Sequence, residues 1–118
     1  MKLGTLKSTN WGDGELVVVS QDNSQYVRVP QVAKNLREAL EQWSVARPRL
    51  EEVYQSLNAG KMSGAENVVA AQFHSPLPRA FQWADGSAFL HHVKLVRMAR
   101  NADMPESLYK TPLMYQGG

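Results

Sequence analysis

The sequence predicts an α+β protein, a small N-terminal β-meander followed by helices. Three short segments within the first thirty residues are rich in apolar and β-branched side chains, and turn residues separate them. From Pro30 onward the apolar residues recur at helical spacing instead. The 118 residues include no cysteine, which excludes disulfides, thiol nucleophiles and thiolate metal sites. The chain is long enough for a single modest core.

The three predicted strands cover residues 2–7, 15–20 and 25–29. Glycine-rich or polar turns separate them, as expected of a meander. The apolar run at residues 16–19 contains three consecutive valines, which predicts a strand buried on both faces. Residues 25–29 alternate polar and apolar, which predicts a half-buried strand.

Helical periodicity predicts three helices. Pro30 suits the first turn of a helix that continues to Trp43, and Pro48 is expected to interrupt it. A second helix is expected to end near Gly60. The other expectations are a strand at 68–73, a third helix at 87–101 and an irregular tail from residue 103.

Charge and hydropathy exclude some classes of partner. Thirteen basic and eleven acidic residues give a net charge of +2, and the first sixty residues balance at seven of each sign. This excess is too small to predict a nucleic-acid interface, and no basic stripe or recognition motif is present. No apolar run approaches the roughly 20 residues that span a bilayer, and no apolar signal segment follows Met1. We therefore expect a cytoplasmic protein without membrane or nucleic-acid partners.

The third predicted helix carries the candidate site. His92 falls in the middle of its apolar face, so it is either a hydrogen-bonded core residue or a catalytic base. Arg100 lies on the flank of that face, where a guanidinium could bind a substrate carboxylate through two hydrogen bonds. Lys94 and Arg97 fall on the opposite face and are expected to be solvated. His91 points away from the apolar face.

Asp85 precedes the predicted start of this helix. Aspartate and serine are both preferred helix caps, so Asp85 or Ser87 could satisfy the first backbone N–H groups. The alternative is functional, because a carboxylate held at this position could bind a divalent cation or relay a proton. The pattern leaves both readings open.

Several motifs in the second half of the chain carry a resemblance to a known family. They are Pro-Leu-Pro-Arg at 76–79, Phe-Gln-Trp-Ala-Asp-Gly-Ser-Ala-Phe-Leu-His-His-Val at 81–93, Met-Pro-Glu-Ser at 104–107 and Pro-Leu-Met-Tyr-Gln-Gly at 112–117. In this order and spacing the chain resembles the fumarylacetoacetate hydrolase family. The N-terminal meander and helix pair extend the likeness over nearly the whole chain.

The resemblance implies hydrolysis of a carbon–carbon bond in acylpyruvate or diketo-acid substrates, as in aromatic catabolism. It implies a divalent cation, Mg²⁺ or Ca²⁺, and a homo-oligomer, commonly a dimer. His92 matches the catalytic histidine and Asp85 an early carboxylate ligand of the metal. Arg100 and Tyr115 match substrate-contacting positions, although the alignment of Arg100 could slip to Arg97.

This sequence also departs from the family pattern. Phe89 stands where many relatives have tyrosine, and Leu95 stands where simpler relatives have glutamate. The chain contains no Glu-x-Glu pair, which the family carries on a C-terminal β-rich domain. The resemblance therefore implies an N-terminal domain at 1–75 and the start of a catalytic region at 76–118, truncated before that β-rich domain.

Two functions follow as expectations. The first is the N-terminal part of a metal-dependent hydrolase that is inactive alone and holds no metal by itself, since one carboxylate is a poor site for Mg²⁺. The second is a non-catalytic interaction or oligomerisation domain, which the wide apolar arc of the third helix favours.

Overall fold

The computed structural model describes residues 1–117, and the chain divides into a first unit, Met1–Arg79, and a second unit that begins at Ala80. The first unit contains an antiparallel sheet of order β1-β2-β3-β4 and two helices, and the second contains a two-stranded ribbon and one helix. The strands are β1 Lys2–Leu6, β2 Glu15–Val19, β3 Gln25–Arg28, β4 Glu66–Asn67, β5 Trp83–Ser87 and β6 Leu113–Gly117. The helices are α1 Leu36–Glu41, α2 Trp43–Asn58 and α3 Leu90–Ala99. The predicted α+β class and N-terminal meander are confirmed.

Strand β2 is buried on both faces, as its apolar run predicts. Leu16 and Val18 belong to the cluster that the helices cover. Val17 and Val19 belong to a second cluster on the opposite face, which Phe73 covers in part. Each fully buried valine or leucine contributes roughly 1.5–3 kcal/mol relative to exposure, so this strand anchors the first unit.

Both predicted helices of the first unit are present, but the prediction that the break between them falls at Pro48 is wrong. Pro48 lies inside α2, and the break falls at Gln42, whose φ of −118° and ψ of 35° are not helical. Proline lacks a backbone N–H, so Pro48 leaves one carbonyl of the preceding turn without its helical bond. The helix persists because Ala46 and Leu50, on either side of Pro48, are buried in the core.

The strand predicted at 68–73 is also wrong. A short strand at Glu66–Asn67 pairs with β3, and residues 70–72 then form a single 3₁₀ turn. The Lys7 N–H donates to the Gln72 carbonyl, and Phe73 makes an isolated bridge with Leu6. The segment therefore runs from the β4 edge of the sheet to the β1 edge, where a single bridge joins it to β1.

One side chain of β1 and one of the loop before β2 hold the end of the first unit. The Thr5 hydroxyl donates to the Pro76 carbonyl at 2.7 Å, and the Arg79 guanidinium donates two hydrogen bonds to Asp13 at 3.0 and 2.8 Å. Hydrogen bonding from Arg79 lowers the pKa of the Asp13 carboxyl below its ordinary value, although burial opposes this. These contacts extend the first unit to Arg79, whereas the sequence analysis divides the chain after residue 75.

The second unit departs furthest from prediction. The helix expected at 87–101 runs from Leu90 to Ala99, because residues 83–87 form a strand. The tail expected to be irregular contains a 3₁₀ helix at Glu106–Tyr109 and strand β6. The β5–β6 pairing is antiparallel, with Ser87 opposite Leu113 and Trp83 opposite Gly117. Because Ser87 pairs with β6, the helix begins at Leu90 and not at Ser87 as predicted.

Candidate functional site

A cavity of about 660 Å³ lies in the second unit, between residues of α3 and of the β5–β6 ribbon. Its volume falls within the range of small-molecule sites. Helix α3 contributes His92, Val96 and the following Arg100, which recur every four residues and therefore share one helix face. The ribbon contributes Ser87 and Tyr115. Three of the four residues assigned a role by resemblance thus line one cavity.

His92 is exposed to solvent, so the reading of this residue as a core histidine is wrong. The neighbouring Val93 is the buried residue of α3. An exposed imidazole at a cavity wall can exchange a proton with a bound molecule, whereas a core histidine has no access to one.

Asp85 lies in β5 and is exposed, and it does not cap the helix. The residue before α3 is Phe89, and no side chain caps this helix. Asp85 pairs directly with Tyr115 across the ribbon, so both side chains lie on the same ribbon face. Tyr115 lines the cavity, whereas Asp85 is not among its lining residues.

Tyr115 is held by a neighbouring aromatic ring. The ring centroids of Trp83 and Tyr115 are 5.3 Å apart, and their planes are inclined at 49°. The Trp83 indole also lies against Gly117, where an added Cβ would come within 2.2 Å of it. Only glycine permits this approach, so Gly117 and Trp83 together fix the position of the Tyr115 ring.

Arg97 differs from its predicted position on a solvated face. Its side chain is half-buried, lines the cavity and donates to the Asp103 carbonyl at 3.4 Å. The loop after α3 returns over this side of the helix, since the Ala102 N–H donates to the Arg97 carbonyl. Lys94, predicted to be solvated, is exposed.

The cavity is cationic. Two guanidinium groups, Arg97 and Arg100, and one imidazole line it, and no acidic side chain is among its lining residues. Within residues 1–117, neither arginine takes part in a salt bridge. Such an arrangement favours an anionic ligand, because guanidinium groups bind carboxylates through paired, charge-assisted hydrogen bonds.

The described residues do not by themselves fit a divalent cation. Mg²⁺ and Ca²⁺ require several oxygen ligands. Between residues 1 and 117, no group of three or more histidine, aspartate or glutamate side chains could hold a metal ion. Asp85 is a single exposed carboxylate.

Sequence reasoning missed the ribbon and the aromatic support of Tyr115. The short apolar run Leu113-Met114-Tyr115, bounded by Pro112 and glycine, is a signal for a strand that could have been read. No comparable signal marks β5, because aspartate and glycine are depleted in strands. In the part of the chain that the structure describes, no helix has the length and apolar character to cross a membrane.

An α+β N-terminal unit and a second unit with a cationic cavity together define the architecture of this chain. Residues 1–79 match the family model described as fumarylacetoacetase N-terminal domain 2. Because this match covers well over half of the 118 residues, the chain belongs to the fumarylacetoacetase family, and its first unit is the N-terminal domain. A comparison with curated protein sequences found no match. The matched residues end before Ser87, the first residue that lines the cavity.

Proposed function

We propose that the second unit provides the substrate-binding and proton-transfer part of a carbon–carbon bond hydrolase acting on acylpyruvates or related diketo acids. The observation that carries this proposal is the convergence of His92, Arg100 and Tyr115 on one cavity. Membership in the fumarylacetoacetase family supports the reaction class. The cationic lining supports an acidic substrate.

Each side chain has a distinct role in this proposal. Arg100 binds the carboxylate of the substrate, since a guanidinium presents paired N–H donors. The Tyr115 hydroxyl donates to a substrate carbonyl oxygen and stabilises the negative charge that develops there. His92 accepts a proton from a water molecule as its oxygen attacks the carbonyl carbon. The carbon–carbon bond then breaks, and its electron pair leaves with the departing carbon as an enolate. His92 returns the proton it accepted from water to that carbon, which gives a carboxylic acid and a ketone.

We further propose that this chain alone binds such acids without hydrolysing them. Among the described residues, no carboxylate lines the cavity to hold a divalent cation beside the enolate oxygen, and Asp85 offers only one of the several oxygen ligands that such a cation requires. Incubation with Mg²⁺ and acetylpyruvate should give no turnover above buffer. Hydrolysis that disappears in H92A would contradict inactivity while supporting the role of His92.

Binding can be tested independently of turnover. Calorimetric titration with acetylpyruvate at low ionic strength should give saturable binding that R100Q weakens about 10-fold, because a charge-assisted hydrogen bond is lost. The matched control is K94Q, which removes an equal charge from an exposed position on the same helix. Equal affinities for the native chain and R100Q would contradict the proposal, as would an equal loss in K94Q.

A second candidate function is self-association through the second unit. Several large apolar side chains of α3 and its flanks are exposed, including Phe89 at 73% and Met98 at 64%. Apolar surface of this extent is typical of an interface. Sedimentation velocity should then show a dimer at high micromolar concentration that dissociates in F89S. A monomer at that concentration would exclude this function.

A further inference from the structure

Arg97 is a charged residue of the cavity wall to which the proposed function gives no role. It lies three residues before Arg100 on α3, so the two side chains are neighbours on the helix surface. Both line the same cavity, and Arg97 is the more buried of the two. The partial burial of the Arg97 charge needs a physical explanation, whereas Lys94 is exposed and needs none.

The hydrogen bond from the Arg97 side chain to Asp103 uses little of the capacity of the guanidinium. Its Nη1 donates to the Asp103 carbonyl at 3.4 Å, beyond the usual 2.9–3.0 Å of an N–H···O bond. A guanidinium carries five N–H donors. Since the acceptor is a backbone carbonyl, the positive charge is also left without a carboxylate partner within residues 1–117.

Like charges three residues apart on a helix repel each other. The cavity sets Arg97 and Arg100 side by side, adds His92, and includes no acidic side chain among its lining residues. A bound anion would relieve this repulsion, and a ligand with two anionic groups would relieve it more than a ligand with one. Val93, Val96 and the ribbon residue Leu113 provide apolar wall for the hydrocarbon part of such a ligand.

We propose that Arg97 is a second anion-binding residue, and that its charge makes the cavity select dicarboxylates over monocarboxylates. This proposal rests on the proposed function in one respect, because both place the ligand in the same cavity. It adds a specificity-determining residue, with Arg100 binding one carboxylate of the ligand and Arg97 the other.

The test compares succinate with butyrate, two four-carbon acids that differ by one carboxylate. Titrations at neutral pH and low ionic strength, followed through backbone amide resonances, give both dissociation constants. The native chain should bind succinate at least about 10-fold more tightly than butyrate. R97Q should lose this preference and retain its affinity for butyrate, whereas R100Q should weaken both acids and K94Q neither.

A charge-retaining variant separates recognition from folding. R97K keeps the positive charge and most of the apolar stem, so it should retain a measurable succinate preference even if R97Q disturbs the helix. The proposal is overturned if succinate and butyrate bind the native chain equally, if R97Q weakens both acids to the same extent, or if R97K and R97Q are equally unselective.

Failure of this inference is distinguishable from failure of the proposed function. Acetylpyruvate binding that depends on Arg100, without a succinate preference, would support the proposed function and reject the role of Arg97. A succinate preference that depends on Arg97, without acetylpyruvate binding, would support the anion selectivity and reject the diketo-acid substrate.

Discussion

Asp85 and Tyr115 are direct partners in the antiparallel β5–β6 ribbon. Their side chains therefore share one face of the ribbon, although thirty positions of sequence separate them. Tyr115 reaches the cavity that His92 and Arg100 also line. The ribbon thus places a carboxylate beside a tyrosine that lines the cavity, so the proposed site requires an intact ribbon.

The close packing of Trp83 on Gly117 gives the first prediction. In G117A the new Cβ would come within 2.2 Å of the indole, which must move and release the Tyr115 ring. An aromatic pair of this kind contributes about 0.5–1.5 kcal/mol. Amide hydrogen exchange of β5 and β6 should therefore accelerate by roughly 2- to 10-fold. In the control G86A the Cβ would lie 3.8 Å from the Met114 side chain, so exchange should be nearly unchanged. Equal protection in both variants would contradict this packing.

The turn before β2 gives the second prediction. Gly14 has a φ of +68°, and an added Cβ would lie 2.4 Å from the Leu6 carbonyl oxygen. G14A should destabilise the first unit by about 2–4 kcal/mol, since left-handed strain adds to a backbone clash. Gly64 has a similar φ of +76° with open space around it, so G64A should cost only about 1 kcal/mol. Urea unfolding measures both changes, and equal destabilisation would contradict a steric role for Gly14.

The pKa of Asp22 gives a prediction about acid stability. Hydrogen bonds from Ser20 and Ser24 lower the pKa of the Asp22 carboxyl to about 2, from an ordinary value of 3.8. Because the folded-state pKa is depressed, the stabilisation is complete above pH 3.8 and is lost as the pH falls towards 2. D22N should therefore flatten the decline in stability between about pH 4 and 2.

Thermal unfolding followed across that range measures the effect. The control E52Q changes an exposed glutamate of α2. An identical acid profile for D22N, E52Q and the native chain would show that Asp22 does not contribute.

Metal binding gives the fourth prediction. With Asp85 as a single exposed carboxylate, titration of the chain with Ca²⁺ or Mg²⁺ should show no saturable binding below about 1 mM. Amide resonances of β5 and β6 provide the readout. Tight binding that D85N abolishes would show that the described residues suffice for a metal site. It would contradict the conclusion that one carboxylate cannot hold a divalent cation.

The sequence predicts the three-stranded meander and the helix pair of the first unit because the signals for these elements are local. The valine run of β2 predicts burial on both faces wherever a sheet forms around it, and the helical spacing around Leu50 predicts the covering helix. The second unit depends on pairing between segments far apart in sequence. The residues Trp83–Ser87 carry no strand signal of their own, so the sequence predicts a helix start near Asp85. Helix periodicity predicts a solvated face for Arg97 because it contains no information about the loop at Asp103.

The position of bound acetylpyruvate tests the central claim most directly. Two-dimensional NMR of the isotopically labelled chain should show shift changes concentrated in residues 87–115, together with contacts from the ligand methyl group to the rings of His92 and Tyr115. These contacts should disappear in R100Q and persist in K94Q. Shift changes confined to residues 1–79, or ligand contacts that persist unchanged in R100Q, would contradict a carboxylate-binding site in this cavity.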